Sequence, residues 1–446
     1  MTKSSITTIT LKKIFQTWWP LAASWLLMSF EGPLVNAMIA RLANPELNLA
    51  GFGSVAEPLR SLTTAPLLML LSATVALARD WKSYIKIRRF MLVAAGVMTI
   101  VHFLLAYTPL YFVVVRDLIG VPEEIVSISR VGLMITLPLP WAIGYRRFQQ
   151  GIMIRYGYSN AVVTGTFIRL GSVLSVLLIG YGVGTISGII VGAAALTTGM
   201  FAEAIYCGWR VKPILQFIPK DCGDHQELTW KSFIMFYLPL VFTSLLNTIW
   251  RPIGSAAISR MPEAINSLAV WPVLSGIIFI FQTLGISYNE VVVALLDRPG
   301  SYKNLRKFAL LLFTGITLLF LLIVCTPLSN FWFETISALP EDLLPLANNA
   351  IWLMLPLPGI AVFISWFQGA VLCSQKTRGI TESVIIFLAV MLTVMGIGIA
   401  SNQVSGLYFG AAGFTIATLC QMGWLWYRAR PALKTARERD QLLLEQ

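Results

Sequence analysis

Glu31, Glu57, Arg60, His102, Arg146, Arg147, Arg169, Glu203 and Arg251 all fall inside long apolar stretches of the sequence. A charged side chain at the centre of a bilayer costs at least ~2.5–3.5 kcal/mol on insertion scales, so each calls for a partner or a water-filled space. Counting from the nearest loop gives their depth. Glu31 precedes Arg41 by ten residues and Arg251 precedes Arg260 by nine, which places both roughly 13–15 Å from one end of a helix, near the membrane midplane. Glu57 and Arg60 are three residues apart, share a helix face and lie at a comparable depth. Arg169 reaches a similar depth from the opposite side, while Arg146, Arg147 and Glu203 stay nearer that side. His102 has no ionisable neighbour in sequence and reads as a core histidine with its ring nitrogens satisfied. The midplane set thus holds Arg60, Arg169 and Arg251 against Glu31 and Glu57. Guanidinium forks match carboxylate and phosphate oxygens, so the excess of base points to an anionic ligand. Arg251 and Arg60 are expected to form its binding centre, with Glu57 and Arg169 beside them and Glu31 holding Arg251 while the site is empty. Arg146, Arg147 and Glu203 are expected at the entrance, the two arginines facing water or headgroups and steering anions by their field. The plainer alternative is that Glu57 with Arg60, and Glu31 with Arg251, are ion pairs that neutralise themselves or lock a gate.

These side chains need a membrane scaffold, and the composition provides one. Hydrophobic residues make up 57% of the 446, charged residues 12%, and the mean hydropathy is +0.74, values foreign to a soluble chain. Stretches long enough to cross ~30 Å of hydrocarbon recur at approximately 18–40, 48–78, 88–112, 124–153, 160–182, 184–209, 232–260, 264–296, 306–332, 342–373, 380–400 and 404–429. The fold class is therefore an all-α polytopic membrane protein with twelve transmembrane helices. The loops "RDWKSYIKIRR", "RVKPILQFIPKDCGDHQELTWK", "DRPGSYKNLRK" and "QKTR" carry Lys and Arg, whereas "RDLIGVPEE" and "ETISALPED" are acidic. By the positive-inside rule both termini are cytoplasmic and the chain is a multi-pass protein of the cell membrane. The same bias accounts for the net charge of +12 without a nucleic-acid partner. No secretory leader is expected, because "MTKSSITTITLKKIFQTWWPL" runs straight into the first span. Cys207, Cys222, Cys325, Cys373 and Cys420 are scattered without a CxxC and read as packing residues. Metal-holding acid clusters, P-loops and GxSxG patterns are absent, so neither an enzyme nor a cofactor nor a metal site is expected. The tail "RARPALKTARERDQLLLEQ" reads as a solvated or membrane-surface helix.

The scaffold is built twice. At an offset of 219, Pro20, Leu26, Pro33, Arg41 and Ala50 recur as Pro239, Leu245, Pro252, Arg260 and Ala269. At 218, the "LPLP" of Leu137, the "QG" of Gln150 and Gly188 with Gly192 recur at Leu355, Gln368 and Gly406 with Gly410. Six spans followed by six in the same orientation give two parallel repeats related by a pseudo-two-fold along the membrane normal. The expected domains are an N-terminal six-helix bundle (1–213), a cytoplasmic linker (214–231), a C-terminal bundle (232–430) and a cytoplasmic tail (431–446). Two such bundles can rock about a midplane site and expose it to each side in turn. The paired "LPLP" elements are expected to kink the fourth and tenth helices, and the GxxxG spacings to serve helix packing. The repeat also changes its charge: "FEGP" around Glu31 becomes "IWRP" around Arg251, one register position apart.

Six-plus-six parallel repeats, a proline in the first helix of each, and "PLVFTSLLNTIWRPIGSAAISR" from Pro239 resemble the multidrug/oligosaccharidyl-lipid/polysaccharide (MOP) flippase superfamily, which includes the MATE exporters. Within it the chain is most similar to the progressive ankylosis protein and its bacterial relatives. Arg251, Pro252, Ser259, Arg260, Ala269, Pro272 and Val273 fall on that pattern, and Arg60 stands where the ankylosis protein has a Lys. Glu31 aligns with the acid of that family's first helix to within one residue. MATE exporters carry a cation-coupling carboxylate in the first helix, but the residues around Glu31 do not reproduce that site, so coupling to H⁺ or Na⁺ is left open. The resemblance implies a secondary transporter of MATE-like fold that exports a small organic anion such as citrate, pyrophosphate or a nucleotide by alternating access. Its partners are then a small-molecule substrate and the lipid bilayer, and it works as a monomer. A MATE-type cation-coupled multidrug pump is the alternative, and a lipid-linked-sugar flippase a further one.

Overall fold

The computed structural model describes residues 9–220, 227–374 and 378–442. The described chain is helical, without strands. We label its membrane helices α1 (11–39), α2 (Pro45–Leu77), α3 (Trp81–Tyr107), α4 (123–155), α5 (Ser159–Val183), α6 (Gly188–Leu215), α7 (Trp230–Ile258), α8 (Ala264–Leu295), α9 (Tyr302–Cys325), α10 (Glu341–Cys373), α11 (Arg378–Ser401) and α12 (Gly406–Leu442). Among the described residues nine of these are each long and apolar enough to cross a membrane, and α4 makes a tenth. The other two are α1, interrupted at Phe30, and α12, which runs on into the polar tail. Together they are the twelve segments expected from the hydropathy. On α3, Val93, Val97, Ile100 and Leu104 recur at helical spacing and are all exposed, as befits a face that meets lipid rather than protein.

The internal repeat extends to the connections. Leu110–Phe112 followed by a π-helix at Val113–Ile119 is matched by Leu328–Asn330 followed by one at Phe331–Ile336. The two "LPLP" elements behave unequally. In α4 the break between Glu123–Ile135 and Leu139–Arg155 bends the helix by 42°, whereas α10, interrupted at Leu355 and Pro356, continues as one span. Proline removes a backbone donor in both, and the neighbours decide how far the axis turns. The first GxxxG is a packing seam. A Cβ on Gly188 would lie 2.9 Å from Ile39 Cγ2, and one on Gly192 2.7 Å from Ile39 Cδ1.

By packing, the chain divides into two compact units, Val35–Pro272 on the one hand and Met1–Leu34 with Val273–Gln446 on the other. The expected bundles, 1–213 and 232–430, follow the repeat instead, so that α7 packs within the first unit and most of α1 within the second. The first unit is centred on Leu67, Leu70, Tyr84, Ile87, Met91, Phe148 and Phe233. The second is centred on Ile14, Trp18, Tyr288, Val291, Phe308 and Trp366, with Trp18 Nε1 donating to the Leu284 carbonyl at 3.1 Å. The tail is helical to Leu442 and mostly exposed, as a solvated or membrane-surface helix would be, but one point of it is anchored. Asp440 is buried and accepts from the backbone N–H groups of Gly300 (2.9 Å) and Tyr302 (2.8 Å), while Arg439 donates to the carbonyls of Leu296 and Arg298, both at 2.9 Å. Two ionisable side chains there find backbone groups that the α8–α9 turn leaves open. The cysteines divide as well: Cys207 is buried, but Cys325 and Cys420 are exposed. Expectations for residues 1–8, Cys222 and the centre of the linker, Lys376 of the "QKTR" loop and the last four residues fall outside the described residues.

Candidate functional site

Within the unit Val35–Pro272, the first turn of α2 leads into "AGFGSVA", which forms a π-helix from Ala50 to Ala56. Gly53 lets α8 approach: a Cβ there would lie 2.5 Å from Pro272 Cβ. Ser54 Oγ donates to the Leu268 carbonyl at 2.5 Å, Asn36 Nδ2 to the Pro272 carbonyl at 3.3 Å, and Ser255 Oγ of α7 to the Ser54 carbonyl. The serine bonds pin the first part of α2 to α7 and α8, the asparagine ties α1 to α8, and the next turn of α2 carries the charges. Arg60 holds Glu57 with both arms of its fork, Nε to Oε2 at 2.6 Å and Nη2 to Oε1, and Ser61 Oγ donates to Oε1 at 3.1 Å. This pair is largely screened from solvent.

Arg251 faces the same turn from α7, close enough that its charge acts on Glu57 and Arg60. Its side chain is exposed and lies 5.8 Å from the Trp250 ring centroid. No hydrogen bond or ion pair of its guanidinium is found among the described residues. The hydrogen bonds of Glu57 go to Arg60 and Ser61 instead. A bare guanidinium in the middle of a membrane helix must face water, because lipid would not tolerate it. Behind this turn, His102 is fully buried, with Nδ1 2.9 Å from Thr63 Oγ1 and Nε2 3.0 Å from the Leu133 carbonyl. It is the satisfied core histidine the sequence suggested.

A second cluster ties three helices of the same unit. Glu203 of α6, wholly buried, accepts from Arg146 Nη1 of α4 at 2.6 Å and from Gln150 Nε2 at 2.9 Å, and Arg169 Nε of α5 lies 3.6 Å away. Arg146 and Arg169 are only 3% and 4% exposed. This corrects the entrance reading for Arg146 and Glu203, which are buried, and pairs Arg169 with Glu203. One carboxylate gathers both arginines into the helix interface, because three ionic groups sharing it lose less to desolvation than any would alone. Arg147 alone of this group is part-exposed, since one residue of helix turns it ~100° away from Arg146.

Glu31 opens the helix Glu31–Ile39, half-buried, and belongs to the other compact unit. Three contributors were not singled out from the sequence. Gln150 stands out in the sequence only as part of a repeated "QG", yet it donates to Glu203; a glutamine one helical turn from Arg146 is the available signal. Ser61 shares Glu57 with Arg60. Glu290 of α8 accepts from Trp25 Nε1 of α1 at 3.4 Å, both in the second unit; an acid inside an apolar run was again the signal. No group of three or more His, Cys, Asp or Glu that could hold a metal ion occurs among the described residues.

No family model matches the sequence, and no curated protein matches it. Solved structures do. An inward-facing multidrug resistance MATE family transporter of the MOP superfamily is 13% identical over 93% of this chain and 99% of its own, with a TM-score of 0.70. The chain has the MATE fold. The lipid II flippase MurJ in an inward closed conformation shares it at a TM-score of 0.68, with 14% identity over 95% of this chain and 91% of MurJ. So does a MOP superfamily transporter from Pyrococcus furiosus, whose binding pocket of reverse polarity suggests a different function for that protein. Its TM-score is 0.62 and its identity 14%, over 97% of this chain and 99% of its own.

Proposed function

We propose that this MATE-fold protein is a secondary transporter that carries a small organic anion, of the citrate, pyrophosphate or nucleotide kind, by alternating access of its two six-helix repeats. The observation that carries this reading is Arg251, an exposed residue inside a membrane helix whose guanidinium has no hydrogen bond or ion pair among the described residues. Its neighbour Arg60 is charge-balanced by Glu57, so the turn bears one surplus positive charge that a substrate carboxylate or phosphate would neutralise through a two-pronged contact. A cation-binding pocket would present the opposite surplus. The reversed pocket polarity described for the Pyrococcus furiosus protein supports the idea that this fold accommodates such a change. Kinship with the ankylosis branch, placement in the cell membrane with both termini in the cytoplasm, and action as a monomer belong to the same proposal.

The test is transport in proteoliposomes, with citrate, pyrophosphate, a nucleotide and a cationic dye compared in parallel. Wild-type protein should move at least one of the anions and not the dye. Arg251→Ala should lose that transport while keeping its elution profile in size-exclusion chromatography. Anion transport by Arg251→Ala at the wild-type rate would refute the assignment, and dye transport without anion transport would replace it with cationic-drug export.

A further inference from the structure

We propose that Arg147 is a second anion-binding station, separate from Arg251 and nearer the end of the membrane where α7 begins. The inference rests on the anion reading above. Arg147 differs from the arginines around it in one respect. Glu203 accepts from Arg146 and Gln150 at 2.6 and 2.9 Å and lies 3.6 Å from Arg169, so its contacts go to these three and not to Arg147. Arg147 has no hydrogen bond or ion pair among the described residues, and its Nε is buried without a partner. It nevertheless feels the charges of Arg146, Arg169 and Glu203 together. It is thus a guanidinium without a hydrogen-bonded partner of its own among the described residues, standing on a rigid base. The base is rigid because α4, α5 and α6 are locked to one another through Glu203. A long-range steering charge has no need of such a base, whereas a group that must meet a ligand in a defined orientation does.

Its distance from Arg251 follows from contacts along α2. A Cβ on Gly144 would lie 3.7 Å from Leu67, and one on Gly151 2.9 Å from the Leu71 carbonyl, so Arg147 stands level with the stretch just after Leu67. Arg251 acts on Glu57 and Arg60. Some nine residues of helix separate the two levels, roughly 14 Å. Two guanidinium groups at those levels would hold one small ion each. The counterpart of Arg147 in the second repeat is Ser365, so only one half carries this station.

The test is equilibrium binding of radiolabelled citrate and, separately, of inorganic pyrophosphate to the full-length protein in nanodiscs. The arms are wild type, Arg147→Gln, Arg147→Lys and Arg251→Gln. Wild type should show two sites for at least one probe, and Arg147→Gln and Arg251→Gln one each. Arg147→Lys should keep two, with one weakened about tenfold because an ammonium lacks the fork. The guanidinium of Arg147 makes no hydrogen bond or ion pair among the described residues, so these variants should melt close to the wild-type temperature. If Arg147→Gln retains the wild-type number of sites and affinities, the second station is wrong while the anion reading survives. If wild type binds neither probe, both fail.

Discussion

Removing the Glu203 carboxylate is the most demanding test of the buried cluster. Glu203→Ala deletes the acceptor of Arg146 at 2.6 Å and of Gln150 at 2.9 Å and the countercharge 3.6 Å from Arg169. It leaves two almost wholly buried guanidinium groups without that compensation. Breaking a buried ion pair from one side costs about 3–5 kcal/mol, and at about 2–4 °C per kcal/mol for a body of some 250 residues the melting temperature should fall by roughly 6–20 °C. Gln150→Leu removes one hydrogen bond to a charged acceptor and should cost about 1.5–3 kcal/mol. Glu203→Gln, which preserves shape and an acceptor oxygen but not the charge, should fall between wild type and Glu203→Ala. Thermal unfolding of the purified protein, followed by intrinsic tryptophan fluorescence at low salt and at ~1 M salt, reads all three. The shift should persist at high salt, where exposed pairs are screened, because buried pairs are screened much less. A Glu203→Ala protein that melts within about 2 °C of wild type, or a shift abolished by salt, would show that the cluster is hydrated and that the positioning argument for Arg147 lacks its base.

Glu57→Gln should free the Arg60 fork while leaving Ser61 a partner; we expect tighter anion binding, by about tenfold or more, with slower turnover, and a weaker binding constant would show that Glu57 orders the site instead. Gly53→Val would drive its side chain into the Pro272 ring, 2.5 Å from where the Cβ must sit, and overpacking of this kind costs about 1–3 kcal/mol, readable as a fall in melting temperature. Gly120 has φ +73° and the Arg260 guanidinium carbon 3.3 Å from its would-be Cβ, while Arg260 donates to the Leu118 carbonyl at 2.5 Å and to that of Ile119; Gly120→Ala should therefore destabilise the protein, whereas Gly157→Ala, at φ +84° with open space around it, should show only the backbone part of that effect. His102→Asn should leave the pH dependence of transport unchanged, because protein groups engage both ring nitrogens, and a displaced pH profile would make His102 a proton-carrying group.

The sequence alone determined the class, the twelve helical segments and the doubling of the scaffold. Those depend on the number and spacing of apolar residues between breaks, which a linear reading measures directly. It also determined that Glu57 and Arg60 share a helix face, because residues three apart do so whatever surrounds them, and it left their pairing as one of two alternatives. The fates of the other charges were settled in three dimensions. Arg146 and Arg147 are neighbours in the chain and of one chemical type, yet one is buried against Glu203 and the other keeps its donors open. That difference depends on the ~100° between successive residues and on which helices happen to lie on each side. Arg169 and Glu203 were placed at separate depths by counting along their own helices, a count that ignores tilt and the reach of long side chains, and packing brings them to 3.6 Å. The tail likewise reads as solvated from its charge, and only the open backbone groups of the α8–α9 turn give Asp440 a buried position. Periodicity fixes which residues can share a face, and the choice of partner across a helix interface belongs to the tertiary structure because the partner lies tens of residues away.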